Sequence, residues 1–275
     1  MVKPTASIIV LSRNGLDYTK QCVESIYQHT DVPFECIFVD NGSTDGTVNF
    51  LNTLDHATVI ANEENKGFAG GNNQGMKQAC GDYIVLLNND TIVTPHWLSR
   101  LIAWLENDKS IGIVGPRSNN VYSAQRVPTV PYSSQDDMHA FAAQWHEERK
   151  GKGFIPHKLI GHCMVFSAAL MEAVGGLDER FFPGNYEDDD LCLRVNIYGK
   201  KLWVADDVFI HHYGHGTFKS NQIQYNTSSL KNAERFVEKW SIGISGFELE
   251  RFGYDPSTIV KRESIFIPDR HRIPV

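Results

Sequence analysis

The chain has no hydrophobic run approaching ~18 residues, the length a membrane span needs. Its N-terminus enters a strand pattern at once, without a basic region or cleavage signal. These absences point to a soluble, cytoplasmic chain. No CxxC occurs: Cys22, Cys36, Cys80, Cys163 and Cys192 are odd in number and widely spaced, which argues against a zinc site or a disulfide framework and for free thiols in a reducing compartment. No Lys/Arg block stands out, and 26 basic against 33 acidic residues leave a formal charge of −7, which argues against general nucleic-acid binding. A phosphate-bearing partner therefore needs a local site or a metal. Neither GxGxxG nor GxxxxGK[ST] is present, so a dinucleotide cofactor and a P-loop ATPase are disfavoured. No internal repeat and no Gly-, Ser- or Pro-rich linker divides the chain.

What is there is an ordinary globular composition, 41% hydrophobic and 21% charged over 275 residues, enough for one large α/β domain or two small ones. Short apolar runs at Ala6–Leu11, Phe34–Val39, Thr58–Ala61 and Tyr83–Leu87 read as strands buried on both faces. Between them lie a helix through Leu16, Thr19, Val23, Ile26 and Tyr27, a short one through Phe50 and Leu51 with Ser43 or Thr44 as N-cap, and a Gly/Asn-rich entry, Asn65 to Asn73, into a helix reaching Ala79. Such alternation predicts right-handed βαβ crossovers and a doubly wound, mostly parallel sheet in the first half. A helix follows Thr94-Pro95 with Leu98, Leu101, Ile102 and Leu105 inward, and then a strand at Ile111–Val114. Residues 117–158 lose periodicity, apart from a short helix around Met138–Arg149, and are expected to cover or shape a site or to form a mobile loop. Order returns at Leu159–Phe166. Next come a helix Ala168–Val174, a helix Glu187–Tyr198 with Leu191, Val195 and Tyr198 inward, strands Lys201–Val204 and Val208–Ile210, and a helix through Ala233, Phe236, Val237 and Trp240.

The first, second and fourth strands should all release their loops at one edge of the sheet, where open α/β sheets bind ligands. Asp40, the turn at Gly42 and Asp90 can then line one crevice that suits a nucleotide. Asp40 is placed to accept hydrogen bonds from a base or ribose, and the amides around Gly67–Gly71 to approach a ligand closely. Asn88-Asn89-Asp90 offers hard oxygen ligands to Mg²⁺ or Mn²⁺. Each turn taken singly reads equally well as an ordinary βα connection. Glu187-Asp188-Asp189-Asp190 is richer in acid than a helix dipole needs, and crowding should raise at least one pKa toward that of a general base. His211, His212 and His215 end a late strand and can supply an imidazole beside Asp90, or form a surface cluster. Arg194 can pair with acids, meet a phosphate or lie on the helix surface.

Five motifs in one order resemble the family 2 inverting glycosyltransferases, most of all their bacterial rhamnosyltransferase-like branch, over roughly residues 5–240. They are Ser7-Ile8-Ile9-Val10 with Asn14-Gly15, Val39 to Gly46, Asn65 to Asn73, Leu86 to Asp90, and Glu187 to Leu191. The resemblance implies an α/β GT-A fold in a single domain, 1–240, with a nucleotide-sugar half over about 1–115, an acceptor and catalytic half over about 116–240, and a C-terminal tail at 241–275. It implies transfer of a sugar from a UDP- or dTDP-linked donor, with Mn²⁺ or Mg²⁺, to a hydroxyl on a saccharide, a lipid-linked glycan or a protein. Asp188, beside Glu187, takes the position of the catalytic base. Ser12, Asn14, Asp40, Asn41, Gly42, Ser43, Asn65, Gly67, Asn73, Asn88 and Asn89 fall on the nucleotide side. Asp90 with His211, or His212 as second choice, takes the metal, and Gly161, His162 and Cys163 fall on the acceptor side. Here the metal motif has a single carboxylate, Asn88-Asn89-Asp90 in place of Asp-x-Asp. A peripheral role at the inner face of the membrane stays open, as does the oligomeric state. The competing readings are a sugar-1-phosphate nucleotidylyltransferase, whose N-terminal glycine-rich signature is missing after Leu11, and a catalytically silent nucleotide-sugar-binding scaffold.

Overall fold

The structure, a computed structural model, describes residues 3–214, 225–242 and 254–275. His215, one of the three histidines singled out above, lies outside them. The apolar runs form strands β1 (Ala6–Ser12), β2 (Phe34–Asn41), β3 (Ala57–Asn62) and β4 (Tyr83–Asn88), adjacent in the order β3-β2-β1-β4 and parallel throughout. Their crossovers carry helices α1 (Leu16–His29), α2 (Thr47–Leu51) and α3 (Gly67–Gln78). β5 (Thr91–Ile92) and α4 (Trp97–Asn107) follow, then β6 (Ile111–Ser118), α5 (Gln135–Arg149), β7 (Gly153–Phe154), β8 (Cys163–Ser167), α6 (Ala168–Val174), α7 (Glu187–Ile197), β9 (Lys201–His212) and α8 (Tyr225–Trp240). Two short helices, α9 (Pro256–Arg262) and α10 (Pro268–His271), close the chain. The sheet continues beyond β4 as β8-β6-β9-β5, and β8 runs antiparallel to both β4 and β6. The doubly wound, mostly parallel α/β expectation therefore holds, with an antiparallel strand at the join of the two halves.

Period-two alternation divides the core into two layers. Ile8, Val10, Val85, Leu87, Cys163 and Val165 pack with Cys22, Ile26, Trp97 and Leu101 from α1 and α4. Ile9, Ile84, Leu86, Met164 and Phe166 pack with Met76, Leu170, Leu191 and Val195 from α3, α6 and α7 on the opposite face. The interior glycines of α3 serve this packing. A Cβ at Gly75 would stand 2.5 Å from Ile9 Cγ2, and one at Gly71 would stand 2.3 Å from Leu11 Cδ1, so the helix sits against β1 at backbone distance. Gly70 to Asn73 lie inside this helix rather than in its entry loop. Gly67 opens it at φ +75°, with the space beside it filled by the Phe182 ring, so the glycine run accommodates protein rather than a ligand.

Other expectations are corrected by long-range pairing. The two late strands are one, β9, because β6 follows it in parallel with a register break between Pro116 and Arg117. α2 is not capped by Ser43 or Thr44; it begins after Gly46, and Asp45 accepts the Thr47 amide at 3.1 Å. Tyr198 is 41% exposed, its ring against Phe266. Residues 254–275 pack back on the domain, with α9 against α7 and Ile273 bridged to Gly175. All five thiols are free, four of them buried. No helix among the described residues is long and apolar enough to cross a membrane.

Candidate active site

Because β2, β1 and β4 are parallel neighbours, their carboxyl ends lie side by side, and the register pairs Ser12 with Asp40 and Leu11 with Asn88. Asp40 is fully buried and bonded within this edge. It accepts the Ser43 amide at 2.8 Å and hydroxyls from Ser43 and from Ser12, the latter at 3.2 Å. Asn14 ties the two loops together, donating its amide to Ser43 Oγ at 2.7 Å and accepting the Thr44 amide at 2.8 Å. Gly42 adopts φ +77° with the Glu63 carbonyl 3.1 Å from where a Cβ would sit. Asn41 donates to the Gly67 carbonyl at 3.0 Å, and Asn65 accepts the Gly67 amide at 2.9 Å, fixing the start of α3 to the same edge.

Two carboxamides expected on the nucleotide side are turned to other work. Asn73 is buried and joins the two halves: it donates to the Leu177 carbonyl and to Glu179 Oε1, both at 2.9 Å, and accepts the Leu177 amide. Asn89 is buried too and donates to Thr19 Oγ1 at 2.9 Å. Asn88 stays half-buried at the strand end, its amide donating to the His162 carbonyl at 3.0 Å.

Asp90, 3% exposed, follows at the turn into β5. β5 pairs antiparallel with the end of β9, Thr91 opposite His212 and Ile92 opposite His211. That register turns the two histidines apart. His212 presents Nε2 3.2 Å from Asp90 Oδ1, whereas His211 bonds the Tyr132 hydroxyl at 2.7 Å among aromatic rings. His212, the second choice from sequence, is thus the imidazole that meets Asp90. Strand alternation decides this, through a partner strand more than a hundred residues away. Burial and His212 hold His211 down at about 4; for His212 burial acts the same way, but Asp90 more than offsets it and the net shift is upward.

His212 Nδ1 is satisfied by the Asn120 carbonyl at 2.7 Å, which leaves Nε2 facing a carboxylate without a well-aligned hydrogen bond. Protonated, the imidazole is an ion-pair partner for Asp90 at 3.2 Å, which is why Asp90 raises it; neutral, with Nδ1 donating to Asn120, it turns a lone pair toward the carboxylate. A divalent cation would take the place of that proton between the two groups, and the backbone carbonyl on the second ring nitrogen is the usual support of a metal-binding histidine. Imidazole plus carboxylate suits Mn²⁺ or Mg²⁺ completed by phosphate oxygens and water. Among the described residues no third His, Cys, Asp or Glu joins this pair as a ligand cluster. His162, fully buried and next to His212 at 5.4 Å between ring centres, is held neutral by burial and by His212, at about 3.

The acidic run opens α7 beside the turn into β8. The Gly161 amide donates to Asp188 Oδ2 at 3.0 Å and the Asp189 amide to Oδ1 at 2.9 Å. Cys163 is buried in the β4-side core, its thiol raised by burial. Burial, then Asp189, push the Asp188 carboxyl up to about 6, against the pull of Lys158 and of these amides. Glu187, 5% exposed, is raised well above the carboxylate range by burial and by Asp188, and its Oε2 has no hydrogen-bond partner among the described residues. Asp190 is structural. Its carboxylate bonds Arg194 Nε at 2.8 Å and Trp240 Nε1 at 3.0 Å, while Arg194, fully buried, also donates to the Val174 and Gly176 carbonyls. Arg194 is therefore neither a surface charge nor a phosphate ligand. Sequence reasoning missed Lys158 and Tyr254, which both bond Asp189, at 2.9 and 2.7 Å. No local signal marks either one.

Residues 7–175 match the family described as glycosyl transferase family 2. An uncharacterized glycosyltransferase of Haemophilus influenzae is 29% identical over 116 residues, 41% of this chain and 36% of that protein. The chain spans less than two thirds of the length of the curated relatives it matches. Among solved structures, a mannosyltransferase from Pyrobaculum calidifontis in complex with GDP-Man and Mn²⁺ superposes with TM-score 0.60 at 20% identity, covering 96% of this chain and 70% of that one. GalNAc-T7 with UDP, GalNAc and Mn²⁺ superposes with TM-score 0.66 at 18% identity, covering 96% and 55%. These likenesses establish the GT-A fold that the strand order and helix placement describe, and with the family match over more than half of its length, the chain belongs to glycosyl transferase family 2.

Proposed function

We propose that this protein transfers a sugar from a nucleoside-diphosphate donor, UDP- or dTDP-linked, to an acceptor hydroxyl on a saccharide, a lipid-linked glycan or a protein, with inversion at the anomeric carbon. The observation that carries the reading is the pairing, across the β4–β8 join, of two unlike acidic sites. One is a buried carboxylate with an imidazole nitrogen 3.2 Å away, Asp90 with His212. The other is a carboxyl poised near neutrality, Asp188 on the Gly161 amide. Residues 1–240 form the transferase unit in this account, and 241–275 its C-terminal tail.

Asp40, Ser12, Asn14 and Ser43 shape the nucleoside end of the crevice. Asp90 and His212 would hold Mn²⁺ or Mg²⁺, which supplies positive charge for the departing diphosphate. Asp188 accepts the proton of the acceptor hydroxyl as its oxygen bonds to the anomeric carbon. The bond from that carbon to the phosphate oxygen breaks on the opposite side, and the nucleoside diphosphate leaves with the electron pair. Glu187, protonated, keeps the buried acid pair at a single negative charge. Mn²⁺ in both solved relatives, with GDP-Man or with UDP and GalNAc, supports the metal and the donor class. The resemblance of the motifs to the rhamnosyltransferase-like branch supports considering dTDP donors beside UDP donors. Asp188→Asn should abolish transfer and leave donor binding within about twofold; unchanged turnover would reject the assignment.

A further inference from the structure

One short segment, Lys158 to Gly161, grips two consecutive acids of α7. The Gly161 amide holds Asp188 Oδ2 at 3.0 Å, and three residues earlier Lys158 Nζ lies 2.9 Å from Asp189 Oδ1 and 3.0 Å from Oδ2. From the other side the Tyr254 hydroxyl, in the C-terminal segment, donates to Asp189 Oδ1 at 2.7 Å. The ion pair is withdrawn from water, with the Asp189 side chain 5% and that of Lys158 22% exposed.

We propose that Lys158 is a positioning residue for Asp188: clamped on Asp189 beneath Tyr254, its ammonium keeps the neighbouring Asp188 carboxyl ionised and fixed on the Gly161 amide. This rests on the reading of Asp188 as the base. Among the described residues, the charged and titratable groups facing Asp188 are Glu187, Asp189 and Cys192 from α7, Lys158 from the segment before β8, and Tyr254 from the C-terminal segment. Lys158 is the cation in that set. Without it Asp189 becomes an unpaired buried anion beside a second carboxylate, and the pair is relieved by Asp188 keeping its proton. The clamp also gives a purpose to the end of the aperiodic stretch 117–158, which delivers Lys158 to the acidic run.

The test reads Asp188 directly, without substrate. In full-length protein carrying ¹³C-carboxyl aspartate, the Asp188 resonance is identified by its loss in Asp188→Asn and titrated from about pH 4 to 9. In Lys158→Met the midpoint should rise by about one pH unit, a tenfold gain in proton affinity. Lys158→Arg should restore it, and Tyr254→Phe should produce a smaller rise in the same direction. An unchanged midpoint in folded Lys158→Met overturns the proposal. Should that variant not fold, Lys158→Gln serves: it can still donate a hydrogen bond to Asp189 but removes the ammonium charge, so the midpoint should rise, and no change overturns the proposal. A shifted midpoint in an enzyme whose transfer ignores Asp188 would keep the clamp and reject the base.

Discussion

Asp188 is folded at a disadvantage, and the sign of that disadvantage can be measured. Its carboxyl titrates at about 6 in the folded protein against an ordinary 3.8, so between those values the folded state binds the proton more tightly than the unfolded state. The contribution to stability is therefore greatest below about pH 4 and declines as pH rises through 6. Asp188→Asn removes this dependence. Its unfolding free energy relative to the parent should increase by on the order of 2–3 kcal/mol between pH 4 and 7.5, readable in urea titrations at the two pH values. A gap that narrows instead would contradict the burial argument. If Asp188 is the base proposed above, transfer should fall on the acid side of about pH 6, where it is protonated. Arg194 is the opposite case, a fully buried cation each of whose three nitrogens donates a hydrogen bond, to Asp190, Val174 and Gly176. Arg194→Met leaves Asp190 with Lys239 and Trp240 but strips its buried guanidinium partner and the donors to the Val174 and Gly176 carbonyls, and should cost about 1–3 kcal/mol in the same titration.

Among the elements, β5 and β9 decide the most from the fewest residues. Two residues of β5 set which histidine meets Asp90, and this could not be read locally. His211 and His212 are adjacent, and a one-residue change of register exchanges their faces. The strands of the first half, by contrast, were legible because each is a continuous apolar run ending in polar residues, and the edge they share follows from parallel order alone. The glycines of α3 were legible as a motif and not as a cause. Asn73 and Gly71 look like ligand-side residues until their partners, Leu177 and Leu11, are known. Lys158 was hidden for the same reason, since its partner lies on α7. The C-terminal segment offers an independent test of element docking. Gly175 has φ +79°, and a Cβ there would stand 1.8 Å from the Ile273 carbonyl. Gly175→Ala should expose the amides of α10 and Ile273 to hydrogen exchange while those of β1 and β4 stay protected; equal protection in both proteins would show that this contact does not anchor the segment.

Taken whole, the molecule joins the parallel sheet of its first half to its second half through one antiparallel strand, β8. That strand lies between Asp90, proposed to hold the metal, and Asp188, proposed as the base. A chain of net charge −7 can hold a diphosphate at such an edge through a cation, and this is the central claim. The most direct test is thermal unfolding with UDP, dTDP and GDP, each with and without Mn²⁺, in the parent protein and in Asp90→Asn, His212→Ala and His211→Ala. A ligand at a hundredfold its dissociation constant that binds only the folded state adds about 2.7 kcal/mol. The account predicts a Mn²⁺-dependent rise with one nucleotide that persists in His211→Ala and is lost in Asp90→Asn and His212→Ala. The same metal-dependent rise in all three variants, or its loss in His211→Ala alone, would contradict it.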